Sequence, residues 1–132
     1  MVPRPVALGL TLCDHVIIEE RTRKASLIGQ FTGMPAESFP HLAQPFCLFA
    51  VLTNAIGSGT LELELTRLDT GEEIWNHQGP IEFPDRLAEV RFVFRLRQCY
   101  FPAPGKYDFV LKVDGDWVAQ RSFRVYQLEA MP

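Results

Sequence analysis

Three histidines and three cysteines are the residues best equipped for acid–base, nucleophilic or metal chemistry in this chain, and their spacing limits what they can do. His15, His41 and His77 fall in separate segments, with none of the short spacings that build a metal site. Gly57-Ser58-Gly59 lacks the Gly-x-Ser-x-Gly spacing of a nucleophile elbow and reads as a loop. Cys13, Cys47 and Cys99 each lie in or at the end of an apolar run, where burial raises a thiol's pKa and keeps it inert. The remaining route to catalysis is a Cys–His pair that meets only in space. The expectation is a protein that is not an enzyme, with no catalytic residue, metal or cofactor.

Binding chemistry has three candidates. Trp75-Asn76-His77 has the composition of a carbohydrate or small-ligand platform, an aromatic ring beside polar groups. Asn54, Asp114 and Asp116 offer oxygens at what is expected to be one end of the fold, but calcium asks for about six to eight. Asp114-Gly115 is explained by turn formation alone. Arg91, Arg95 and Arg97 form a basic stripe whose neighbours Phe92 and Phe94 point the other way, so the interleaved exposed aromatics of a nucleic-acid surface are missing. Thirteen basic against 16 acidic residues, a net charge of −3, argues in the same direction. No nucleic acid is expected; the stripe reads as a solvated face opposite Glu62 and Glu64.

The elements that must position these groups are strands. From Pro104-Gly105, residues Tyr107, Phe109, Leu111 and Val113 alternate with polar neighbours, Asp114-Gly115 turns the chain, and Trp117, Ala119, Phe123 and Val125 return. Leu61, Leu63 and Leu65 alternate with Glu62 and Glu64. The strand from Glu89 to Cys99 places Phe92, Phe94 and Leu96 inward. Leu8, Leu10 and Leu12 share a face, and Asp14-His15 interrupts that pattern at a bulge or a switch between sheets. Thr32 to Gln44 reads as a loop, and Pro84-Asp85-Arg86 as the start of a helical turn through Ala88. With 132 residues and 47% hydrophobic content, residues 1–132 are expected to be a single all-β domain.

No run approaches the ~20 apolar residues of a membrane-spanning helix, so no membrane is expected. Leu10-Thr11-Leu12-Cys13 faintly matches a lipoprotein cleavage box, but Leu12 is too large for the cleavage position. The odd cysteine count suits a reducing compartment, and the expected localisation is cytoplasmic.

From Phe46 onward the chain resembles an immunoglobulin-type sandwich. The resemblance rests on an apolar strand, a Leu-Glu alternation, an Asp-x-Gly turn, and Pro-Gly-x-Tyr opening the last hairpin. It implies an immunoglobulin-like antiparallel β-sandwich of about seven to nine strands, with an N-terminal β-hairpin added, and a tyrosine corner at Tyr107. Phe109 stands where that fold often has a cysteine, so the inter-sheet disulfide is absent. The front of the chain, Asp14-x-Val16-Ile17-x-Glu19, Lys24-x-Ser26-Leu27-Ile28-Gly29-x-Phe31 and Phe39-Pro40, is similar to a family of small bacterial proteins without an assigned activity. That likeness implies a bacterial protein and no particular chemistry.

Phe46 to Val51 is apolar on both faces, whereas a two-layer sandwich buries one face of each sheet. Phe46, Leu48, Phe49 and Val51 are therefore expected to contribute an interface. The cover is either the Val6–Phe31 hairpin or, as the preferred expectation, a second copy in a homodimer. The functional expectation is a protein-interaction or structural module that self-associates; the alternative is a small-ligand or carbohydrate-binding domain using Trp75, Asn76 and His77.

Overall fold

The alternating segments become strands in the computed structural model, which describes residues 4–129. In chain order these are β1 (Val6–Ile18), β2 (Ala25–Gln30), β3 (Gly33–Ala36), β4 (His41–Leu42), β5 (Phe46–Thr53), β6 (Gly57–Arg67), β7 (Glu73–Phe83), β8 (Val90–Leu96), β9 (Tyr100–Phe101), β10 (Gly105–Val113) and β11 (Asp116–Gln127). Among the described residues there is no helix, hence none long and apolar enough to cross a membrane. The first sheet has the order β2-β1-β5-β8, the second β3-β11-β10-β6-β7, and β4 and β9 form a short separate ladder. Every ladder is antiparallel except β3 on β11.

The period of two dictates how the sheets meet. Leu10, Leu12, Phe46, Leu48, Ala50 and Leu52 of the first sheet share one buried core with Leu61, Leu63, Leu65, Phe109, Leu111 and Val113 of the second. Burying one such large side chain contributes about 1.5–3 kcal/mol. Phe109 joins the layers: it stacks on Phe123 with ring centroids 5.5 Å apart and meets Phe46 edge-on at 6.4 Å.

The last hairpin follows its sequence. Asp114 and Gly115, the two turn residues, both have positive φ, 50° and 83°, as the tight right-twisted hairpin turn requires. Tyr107 is fully buried, and its hydroxyl donates a 2.6 Å hydrogen bond to the Ala103 carbonyl. Tyr107→Phe removes that donor and is expected to lower stability by ~1 kcal/mol in urea unfolding. An unchanged midpoint would show the bond contributes nothing.

Several expectations are corrected. Eleven strands replace the expected seven to nine, because Thr32–Gln44 is not a plain loop but carries the short strands β3 and β4. Trp117, expected on the buried face, is 51% exposed, because an irregularity between Leu111 and Lys112 pairs Lys112 with Trp117 and shifts the alternation. A similar shift between Ala7 and Gly9 leaves Leu8 55% exposed. Pro84–Ala88 forms no helical turn; Asp85 Oδ1 accepts hydrogen bonds from the Leu87 and Ala88 amides, closing a tight turn. Arg91, Arg95 and Arg97 are exposed on the first-sheet side, but Glu62 and Glu64 belong to the second sheet and flank Lys112 instead.

The two-faced β5 strand resolves within the chain. Phe46 and Leu48 point into the shared core, out of reach of a second copy. Phe49 and Val51 lie on the outer face with Cys13, Cys47 and Val93, and there Val16, Ile18, Ala25 and Leu27 of the β1–β2 hairpin pack against them. The hairpin is the cover.

One buried charge-bearing group stands outside both clusters. Asp108 is 3% exposed, and the Ser122 hydroxyl donates to its Oδ1 at 3.1 Å. Burial pushes its carboxyl above the usual range, opposed by hydrogen bonds from Ser122 and Gln120. The folded chain thus holds this proton more tightly than the unfolded chain does. The group favours folding at low pH and loses that contribution as pH rises through its raised folded value. Asp108→Asn, which stays neutral, is expected to gain stability on the parent as pH rises from about 4, the ordinary carboxylate value, and to level off above the raised folded value. A difference in urea midpoint that does not change with pH would refute this.

Candidate functional site

The hairpin that covers the outer face leaves the first sheet at one point. β1 pairs with β5 from Val6 to Cys13, then with β2 from Cys13 to Ile18, so Cys13 is the last residue held on both sides. The β1–β2 ladder skips the Asp14–Gly29 position without losing register, and Gly29 sits at φ +72°. This irregularity is where the sequence pattern broke. It allows side chains beyond it to face the outer cluster, and it turns the Asp14 side chain toward the core end. Gly29 is required twice over: its backbone is left-handed, and any Cβ there would collide with the Asp14 carboxylate.

Beneath this bend lies a cleft of about 410 Å³. Asp14, Gly29 and Gln30 form one wall and Phe31 follows them; Gly33, Met34 and Pro35 come from β3 and its approach; His41, Gln44, Pro45 and Phe46 close it. Local bonds set these pieces. The Phe31 amide donates to the Leu12 carbonyl at 3.1 Å, and the Arg124 amide donates to the Thr32 carbonyl at 3.2 Å, fixing the crossing from β2 to β3. Phe31 meets Phe46 edge-on at 5.9 Å, and Phe39, before a cis Pro40, meets His41 edge-on at 6.5 Å. The lining is mostly apolar. Asp14 is its one carboxylate, no Lys or Arg lines it, and among the described residues nothing pairs with that carboxylate. The Asp14 carbonyl, on the other side of the bend, accepts a weak 3.7 Å bond from the Cys47 thiol.

The Trp75-Asn76-His77 candidate is split by strand alternation. Trp75 and His77 stack at 6.2 Å on the inward side of β7, His77 meets Phe94 edge-on at 5.9 Å, and together with Val93 and Arg95 they line a smaller cleft of about 170 Å³. Asn76 faces the other way, its amide donating to Glu73. The Asn54, Asp114 and Asp116 oxygens are likewise not assembled. Asp114 Oδ1 accepts from the Thr60 backbone amide at 2.9 Å, and the Asn54 backbone N–H donates to the Arg86 carbonyl at 3.1 Å. Among the described residues no group of three or more His, Cys, Asp or Glu converges on one point. His15 lies on β1, His41 in the large cleft and His77 in the small one.

All three cysteines are free and buried. Burial pushes the Cys99 thiol up to about 12. The Cys13 thiol is also raised, first by burial and then by Cys47, its cross-strand neighbour, and by Asp14. Raised thiols such as Cys13 and Cys99 are poor nucleophiles.

Met34, His41, Gln44 and the cleft itself were not foreseen from the sequence. One signal was present: Asp14, Gly29 and Phe31, three positions of the pattern at the front of the chain, all line this cleft. No curated protein matches the chain. A family model matches residues 8–126, a span that holds the whole cleft and most of both sheets. The chain belongs to the DUF6941 family, a family of unknown function.

Proposed function

We propose that this chain is a non-enzymatic recognition module of the bacterial cytoplasm, built on an immunoglobulin-like sandwich, that binds a small ligand in the cleft beneath the β1–β2 bend. The cleft carries the reading. Its volume of about 410 Å³ lies within the range of small-molecule sites, and its apolar walls with few convergent polar groups have their usual composition. The scattered histidines and the raised thiols support a binding role over catalysis. The immunoglobulin-like reading is supported by strand order. β11-β10-β6-β7 runs like G-F-C-C′, β1-β5-β8 runs like A-B-E, and Tyr107 makes its upstream bond near the start of the F-like strand.

Nuclear magnetic resonance titration with a library of amphiphilic fragments tests the site. Binders are expected to shift the amides of Phe31, Met34 and His41. Shifts confined to Trp75, His77 and Phe94 would move the site to the smaller cleft, and no shifts at all would remove the ligand reading.

A protein-interaction module that self-associates is the second reading, favoured by the far face of the β1–β2 hairpin. There Ile17 and Ile28 remain about half exposed. Sedimentation equilibrium at micromolar concentration separates the two: a mass of 15.0 kDa means a single chain.

A further inference from the structure

The chemistry of the cleft narrows what it would hold. Its one carboxylate, Asp14, has no hydrogen-bonding or ionic partner among the described residues, and no Lys or Arg reaches the lining. The carboxylate is the only fixed charge of the lining and disfavours an anionic ligand. Gly29, having no Cβ, leaves the room beside it that the carboxylate occupies. The lining also holds the rings of Phe31 and Phe46, set edge to face, and the Met34 thioether. Aromatic faces and polarisable sulfur attract a cation while also accepting an apolar body. A neutral apolar ligand would leave Asp14 to water alone, whereas an ammonium makes a charge-assisted hydrogen bond with it.

We infer that the cleft is a site for an organic cation, a protonated amine carried on an apolar body of small-molecule size, with Asp14 binding the ammonium and Phe31, Met34 and Phe46 binding the body. A cleft of about 410 Å³ is too roomy for a lone alkylammonium tail to fill, which sets the free small molecule ahead of a protein lysine. This inference rests on the reading of the cleft as a binding site.

Three probes of one shape test it: phenethylamine, the neutral 2-phenylethanol and the anionic phenylacetate, each titrated into the labelled full chain while the amides of Phe31, Met34 and His41 are followed. The amine is expected to bind about 10-fold more tightly than the alcohol, and the carboxylate not at all. Asp14→Asn is expected to erase that preference. The probe series on the unmodified chain keeps the test valid should the variant not fold. N-acetyl-lysinamide represents a protein-borne ammonium; binding as tight as that of phenethylamine would overturn the requirement for an apolar body. Alcohol and amine binding equally at the cleft would overturn the cationic preference and leave the binding site standing. If no probe shifts the cleft amides, the inference and the underlying reading both fall.

Discussion

Phe109→Ala is expected to destabilise the chain by about 3–5 kcal/mol, the usual loss when a large aromatic core residue is truncated. Phe109 has no exposed surface, and its ring touches both layers, stacking on Phe123 within the second sheet and meeting Phe46 of the first. The hole would open between two sheets whose backbones are held by their own ladders, so neither can easily move in to fill it. Domains of this kind are stable by roughly 5–15 kcal/mol, so such a loss removes a large share of the whole. Urea unfolding followed by tryptophan fluorescence measures it. A loss below about 1 kcal/mol would mean that the two layers repack across the gap.

Gly29→Ala is the second large effect, and it acts through a single added carbon. The left-handed backbone alone costs a residue with a Cβ about 1 kcal/mol, and the collision with the Asp14 carboxylate adds to that, for about 2–3 kcal/mol together. The collision can be separated from the backbone strain. In an Asp14→Ala background the carboxylate is gone, and Gly29→Ala is expected to cost only the backbone share, so the double-mutant cycle shows a clear coupling. Additive losses would mean that Asp14 does not rest on Gly29. The same variant is expected to weaken amine binding by displacing the acid.

What could be read before the structure depended on how local the cause was. The β10–β11 hairpin was legible because Asp114-Gly115 and the alternation around it act within a few residues, and Tyr107 was legible because its bond reaches back only to Ala103. Trp117 was misplaced because one irregularity next to a turn inverts every side chain beyond it. β3 was missed because Pro35 and a four-residue length give no period to read, and its pairing comes from a partner far away in sequence. The break at Asp14-His15 was visible as an interruption, but its meaning, a bend that folds a hairpin over the outer face of β5, depends on tertiary packing. The dimer expectation rested on a count of apolar faces, and the hairpin packed on Phe49 supplies a cover for that face within the chain. The cleft was least legible, since its walls come from β1 to β5 and the crossings between them.

The parallel pairing of β3 with β11 carries a consequence for the order of assembly. Gly33 to Ala36 dock on Arg124 to Gln127, joining segments separated by most of the described chain. Such a closure has high contact order and comes late, whereas the β10–β11 hairpin can form from its own turn. β3 lies at the edge of its sheet, so its sole ladder neighbour is β11, the last of the described strands in chain order. Met34 and Pro35 therefore reach their places only once β11 is available, whereas the Asp14 and Gly29 side of the same cleft comes from the neighbouring strands β1 and β2. One side of the cleft thus waits for β11, after the strands of its other side have already been synthesised.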